Sequence, residues 1–301
     1  MRCMLLVLMM LLWGCSSEAQ TVPEPSQDHE EDREKYEVPE YAEAVFHETE
    51  AIADGDALFD ISAVDEGYVA VSALSDRRLK FAVIKDEIYY YDLMNDGTPM
   101  VFPLQSGDGH YVFRVYEHII DSSYAVMGEI DADVTLADEF QPYIRTNSYV
   151  PYSRDSECIK LASKFSSEAY SALDVVEQVF SYVCSNITYD KPKAENIQSG
   201  YIPDPDETLR TGKGICFDYA SLTASMLRSQ GIPTKLIFGY VSPKDLYHAW
   251  NMIYTEETGW ILAEFKVNEN GWNRVDLTFS ANGADATFIG DGSNYTDVYQ
   301  Y

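Results

Sequence analysis

The sequence predicts an α+β protein in which a β-rich, sandwich-like region precedes a region that combines helices with antiparallel strands. Three observations predict this. Between about Ala51 and Tyr152, short runs rich in β-branched and aromatic residues alternate with turn signals. From Pro151 onward, apolar residues recur at helical spacing. From His248 onward, strand-like runs return. The chain has 301 residues, enough for two domains on a prior of ~100–200 residues each.

The first residues read as a targeting signal. Met1-Arg2 supplies a short positive start, and Met4 to Trp13 is an unbroken apolar run of ten. A membrane span needs ~20 residues, whereas a run of this length suits a signal-peptide core. The run ends in Leu12-Trp13-Gly14-Cys15, which resembles the lipobox of bacterial lipoproteins. The resemblance implies cleavage before Cys15, lipidation of its sulfur and an extracytoplasmic, membrane-anchored location. Trp13 is larger than the residue usual there, and the alternative is an ordinary secretory signal. Residues 16–50 are then expected to be an acidic tether. Ser16 to Glu40 is rich in Glu, Asp, Pro, Ser and Gln, a composition that buries too little apolar area to offset its ordering entropy. The formal net charge of −29 argues against a nucleic-acid partner, which requires a basic patch.

Within the β-rich region, residues 51–152, Ile61 to Leu74 alternates loosely. Leu79 to Ile84 and Ile88 to Leu93 read as strands joined by a turn at Lys85-Asp86-Glu87. Asn95-Asp96-Gly97 and Ser106-Gly107-Asp108-Gly109 are further turns, and Tyr111 to Glu117 and Tyr124 to Ile130 two more strands. His110 and His118 read as turn or surface residues. Asp92-x-Met94-x-Asp96-Gly97 is not a calcium loop, because Met94 offers no oxygen ligand. No cofactor or metal motif is found anywhere in the chain.

The second region, residues 153–301, opens with cap residues at Ser153 to Glu157. Ile159, Leu161, Ala162 and Phe165 then mark one helix, and Ala172, Val175, Val176, Val179, Phe180 and Val183 a second. Cys158 lies early on the first and Cys184 late on the second, ends that meet in an antiparallel pair. A disulfide is open to them in an oxidising compartment, two buried thiols being the alternative. Lys191 to Asp206 is irregular and contains three prolines, as expected of a loop that walls a cleft.

Thr211-Gly212-Lys213-Gly214-Ile215 leads into Cys216, which opens a helix running to about Gln230. A cysteine at a helix N-terminus has its thiolate stabilised by the macrodipole, and the thiolate is the form that attacks carbonyls. Gly212-Lys213 is not a phosphate loop, because Gly214 stands where Ser or Thr is needed. His248 to Tyr254 reads as a strand with His248, Trp250, Met252 and Tyr254 on one face. Trp272 to Phe279 reads likewise, with Arg274, Asp276 and Thr278 on one face, and Gly259 to Val267 is a strand between the two. Cys216 as nucleophile, His248 as base and Asp276 as orienter of the histidine would make an acyl-transfer site. Taken singly each is weak: a lone cysteine is usually a small buried hydrophobe, and Asp276 could simply pair with Arg274.

Together these segments resemble the transglutaminase-like superfamily, whose core is papain-like. The resemblance rests on Gly214-Ile215-Cys216-Phe217-Asp218-Tyr219-Ala220, Gly231-Ile232-Pro233, His248-Ala249-Trp250-Asn251, Gly259-Trp260 and Val275-Asp276-Leu277-Thr278. It covers about Ser156 to Phe279, and Leu277 replaces the usual proline. It implies Cys216, His248 and Asp276 as a catalytic triad. The backbone N–H of Cys216 is the first oxyanion donor to consider, with Tyr189 or Trp250 as the second, although either could be a packing residue. The function implied is a surface-anchored enzyme that acts on amide bonds through a Cys216 thioester. Water would make it a peptidase or amidase and an amine a transglutaminase, hydrolysis being slightly favoured. Its partners would be a protein, peptide or cell-wall substrate and, through the anchor, the membrane. The alternatives are a non-enzymatic surface-binding protein on the same scaffold, or a chain whose β-rich region is the functional part.

Overall fold

The computed structural model describes residues 33–198, 200–241, 246–267, 273–278 and 295–301. The first half forms eight strands: β1 (Ile52–Asp54), β2 (Ala57–Asp60), β3 (Tyr68–Ala73), β4 (Leu79–Ile84), β5 (Ile88–Leu93), β6 (Met100–Pro103), β7 (Gly109–Ile120) and β8 (Ser123–Val134). They make two four-stranded antiparallel sheets, in the orders β1-β2-β3-β6 and β5-β4-β7-β8. The sheets meet face to face where Phe81 of β4 lies 4.5 Å, ring to ring, from Phe102 of β6. On β5 alternation is strict: Tyr89, Tyr91 and Leu93 are buried, and Ile88, Tyr90 and Asp92 exposed. The predicted turn at Lys85-Asp86-Glu87 joins β4 to β5 through the pair Ile84–Ile88. The expected strand over Ile61 to Leu74 begins only at Tyr68, because Val64–Glu66 closes into a single 3-10 turn.

The second half begins with α1 (Glu157–Glu168) and α2 (Ala172–Asn186), the latter capped by Ser171 and Asp174. There follow β9 (Thr188–Tyr189), α3 (Lys191–Asn196), α4 (Pro205–Thr211), β10 (Lys213–Gly214) and α5 (Cys216–Arg228). The predicted irregular loop thus contains two short helices, each begun by an aspartate cap, Asp190 and Asp204, with a proline in its first turn. A five-stranded antiparallel sheet completes the chain: β11 (Thr234–Val241), β12 (Leu246–Thr255), β13 (Gly259–Val267), β14 (Asn273–Thr278) and β15 (Tyr295–Gln300). Its order is β14-β13-β12-β11-β15. Helix α5 is buried from Phe217 to Arg228, as expected of a helix surrounded on all sides. It packs against α1, α2, β11 and β12.

Residues 35–301 form one compact unit, with one continuous hydrophobic cluster from Ala57 to Tyr301 that includes both sheet regions and the helices. Arg228, 1% exposed, fastens the parts together. Its guanidinium donates to the carbonyls of Thr234 (2.8 Å), Arg145 (2.8 Å) and Tyr301 (2.6 Å).

Part of the stretch read as a tether, residues 16–50, is held by tertiary contacts. The Tyr36 hydroxyl donates to the Gln230 carbonyl at 2.8 Å, Tyr41 meets Tyr152 edge-on, and Phe46 packs on Tyr68 and Ala70. These aromatic side chains supply the burial that the acidic average composition conceals. Cys158 and Cys184, left open between a disulfide and two buried thiols, stand as free thiols. Asp206 of α4 accepts from the backbone N–H of Cys158 at 2.9 Å, and burial, reinforced by that carboxylate, pushes the Cys158 thiol well up. Burial alone pushes Cys184 up to about 12. Among the described residues, no helix is long and apolar enough to cross a membrane; the apolar run before Cys15 lies outside them.

Candidate active site

The approach to Cys216 is set by two glycines and a short parallel pairing. Gly212 ends α4 with φ of 63°, the left-handed conformation that a glycine adopts without strain. A Cβ on Gly214 would stand 2.7 Å from the Cβ of Asp218, so only glycine lets the chain pass this close to the helix it enters. Strand β10 pairs with β9 through Thr188 N–H to Gly212 O (2.8 Å) and Asp190 N–H to Gly214 O (2.9 Å). Ile215 is the extended N-cap, and Cys216 is the first residue of α5. The backbone N–H groups of that turn and the positive end of the helix dipole therefore surround the sulfur's attachment point.

Cys216 is half-buried. Two tyrosines stand within electrostatic reach of it. Tyr189 is pushed up by burial and then by the negative charges of Cys216 and Asp218. Tyr247 is pushed up by burial, by Tyr299 and Tyr240, and by Cys216. The expected neighbour Tyr189 is thus brought to the cysteine. Trp250 is not: it is 1% exposed and packs against Ile237, Leu262 and Met252.

His248 is half-buried on β12, opposite Gly239 of β11. Alternation along β12 turns Ala249, Asn251 and Ile253 toward α5, with the Asn251 amide donating to the Ala220 carbonyl at 3.1 Å. Trp250 and Met252 occupy the opposite face. Asp276 lies on β14, in register with Glu264 of β13; its side chain is outside the described residues. In the sheet, β13 lies between the histidine and aspartate strands. Glu264 therefore stands one strand nearer to β12 than Asp276 does.

Sequence reasoning missed three residues beside Cys216. Asp218, in the first turn of α5, is fully buried and accepts from Ile215 N–H (2.8 Å), Lys193 Nζ (2.6 Å) and the Tyr201 hydroxyl (2.5 Å). Lys193 Nζ also donates to the Tyr201 oxygen at 2.6 Å. The available signal was an aspartate within an apolar helix start, since a carboxylate is almost never buried unless paired.

An aromatic cleft adjoins Phe217, the residue after Cys216. Tyr90, Tyr149, Phe238, Tyr247, Tyr299 and Tyr301 line a cavity of about 230 Å³. A second, of about 250 Å³, shares Tyr90 and Tyr149 and reaches Lys80, Asp92 and Tyr201. Phe217, the residue after Cys216, meets Tyr149, Tyr201 and Phe238 ring to ring. One wall of the cleft, Tyr90, belongs to the β-rich half. A larger cavity of about 590 Å³, between Gln105, Asp138 and Lys235, holds none of these site residues.

Residues 159–277 match the family model of the transglutaminase-like superfamily core. A UPF0252 protein of Methanocaldococcus jannaschii is 33% identical over 99 residues, covering 31% of this chain and 27% of the relative. The kyphoscoliosis peptidase of Mus musculus is 28% identical over 150 residues, covering 46% of this chain and 20% of the peptidase. The chain therefore spans about a quarter of the length of these relatives. Among solved structures, a candidate cysteine protease from Cytophaga hutchinsonii is 16% identical, with 76% of this chain and 80% of that chain covered and a TM-score of 0.38.

Proposed function

Because residues 159–277 carry a transglutaminase-like core, we propose that this protein is a cysteine acyl-transfer enzyme in which Cys216 attacks an amide carbonyl. The observation that carries the reading is the position of Cys216: a partly buried thiol on the first residue of a buried helix, next in the chain to Phe217, whose ring packs on two walls of an aromatic cleft. The thiolate adds to the carbonyl carbon, and the oxyanion is met by the N–H of Cys216, with Tyr189 as second donor. His248 protonates the leaving amine, which departs and leaves a thioester. Water deprotonated by His248 then releases the acid and restores the thiol; an amine in place of water gives the cross-linked product. A carboxylate from the β13–β14 pair, Asp276 or its register partner Glu264, orients the histidine. Hydrolysis of peptides or cell-wall peptide bonds is the favoured outcome.

The test is to incubate the protein with peptide and cell-wall mixtures, quench in acid and identify the adduct on Cys216 by mass. An acyl group joined to Cys216, absent from Cys216→Ala, is expected. Tyr90→Ala, which removes a half-exposed cleft wall, should slow its formation at low substrate concentration. No adduct from any mixture, with the thiol intact, would leave the binding-protein reading standing.

In the same reading the enzyme works outside the cytoplasm on a lipid anchor at Cys15. The support is the apolar run from Met4 to Trp13, which ends at the Leu12-Trp13-Gly14-Cys15 sequence. Intact mass of the protein expressed in a bacterial host should show an N-terminal diacylated or triacylated Cys15 and partition into detergent. A soluble product starting at another residue would refute the anchor.

A further inference from the structure

We propose that Asp218 and Lys193 are positioning residues for Cys216: their ion pair ties α3 to the first turn of α5 and neutralises the carboxylate that this turn carries two residues after the nucleophile. This rests on the reading of Cys216 as nucleophile. Asp218 follows Cys216 by two residues and is fully buried. Its carboxylate is fixed there by structure, because it caps the Ile215 N–H and holds both Lys193 Nζ and the Tyr201 hydroxyl. A buried negative charge so close opposes formation of a second one on the neighbouring sulfur. Lys193 removes the conflict. Its ammonium lies 2.6 Å from Asp218 Oδ2, and its side chain is 27% exposed.

The tyrosines around the pair supply no positive charge. Tyr201 faces Asp218 and also feels Asp204 and Glu207 of α4. Tyr189 from β9 feels both Cys216 and Asp218, and Tyr247 from β12 feels Cys216. His248 follows Tyr247 on β12 and is proposed as the base. Among the described residues, Lys193 is the cation bonded directly to Asp218. The same contact has a mechanical side. Lys193 sits on α3 and Tyr201 lines the cleft, so the pair also holds the cleft wall at a set distance from the helix.

The charge and the tether predict different things. The experiment is iodoacetamide labelling of Cys216 from about pH 4 to 10, read by peptide mass, in the wild type, Lys193→Met, Lys193→Arg, Asp218→Asn and the Lys193→Met/Asp218→Asn double variant. Lys193→Met leaves the carboxylate uncompensated. The thiol titration should rise by about one pH unit, which is about tenfold slower labelling below it. Asp218→Asn retains an acceptor for Ile215 N–H but removes the charge, so the titration should fall. The double variant should return toward the wild type, and Lys193→Arg should restore it. Loosening of structure alone would move both single variants in one direction, with the double variant at least as far. That pattern, or a Lys193→Met profile equal to the wild type, overturns the proposal. Should Asp218→Asn fail to fold, the contrast of Lys193→Met with Lys193→Arg decides, since Lys193 is partly exposed. If the wild type forms the acyl adduct but Lys193→Met is unmoved, only the ion-pair proposal fails. If the wild type titrates like free cysteine at ~8.5 and forms no adduct, the nucleophile reading itself fails.

Discussion

Replacing Cys216 with alanine is expected to reduce turnover by several orders of magnitude while changing stability by about 1 kcal/mol or less. The chemical loss follows from the removal of a nucleophile that works with its base as one unit, where single deletions cost nearly as much as removing the whole set. The small structural effect follows from position. Cys216 is half-exposed on the first helical residue, where alanine is a good helix former and the helix N–H groups do not depend on the side chain. Steady-state kinetics on any peptide that the wild type cleaves, together with a urea melt, would check both halves. A variant that retains the wild-type rate would mean that the sulfur is not the nucleophile.

The same assay can locate the carboxylate that orients His248. The pairing of β12 with β13 runs from Thr255–Gly259 to Asn251–Ala263, and Glu264 is the next residue along β13. Continued by one step, that register sets Glu264 opposite Trp250 and diagonal to His248, a relation of ~7–8 Å between backbones that long side chains span. Asp276 lies a further strand away, ~4.8 Å more. Glu264→Gln is therefore expected to lower kcat more than Asp276→Asn, approaching the ~10⁴-fold cost of losing an orienting carboxylate. The reverse order would return the role to Asp276, and loss in neither would remove a carboxylate from the mechanism.

Arg228→Ala is expected to produce the largest loss of stability, about 3–5 kcal/mol. Burial pulls this guanidinium down to about 10, and the charge is held by the three carbonyls of Thr234, Arg145 and Tyr301. Truncation strands those acceptors in a dry interior and leaves a cavity, and each unsatisfied group costs ~1–3 kcal/mol. Because native stability is typically ~5–15 kcal/mol, the variant should melt far earlier and lose the docking of the C-terminus. Arg228→Lys should fall between, since one ammonium cannot reproduce the planar fork. An Arg228→Ala midpoint in urea equal to the wild type would show that the three contacts are not a structural junction.

What the sequence determined by itself is what depends on neighbours along the chain. The strict alternation of β5, the turn at Lys85-Asp86-Glu87 and the apolar spacing of α1 and α2 are periodic, and periodicity is local. The start of α5 at Cys216 was equally readable, because the glycines before it and the apolar run after it have few other conformations. The segment motifs identified the transglutaminase-like core for the same reason. Tertiary structure alone decided which strands lie side by side, since antiparallel pairing over a gap of many residues leaves no periodic trace. It inserted β15, from the end of the described residues, beside β11. It also decided the fate of side chains whose environment is built by distant segments. Asp218 became a buried ion-pair partner, Trp250 a packing residue, and Tyr36 and Tyr41 anchors within an acidic stretch. Burial and charge pairing are properties of the assembled core, and a composition average over a window cannot register Tyr36 and Tyr41, whose partners lie more than a hundred positions away.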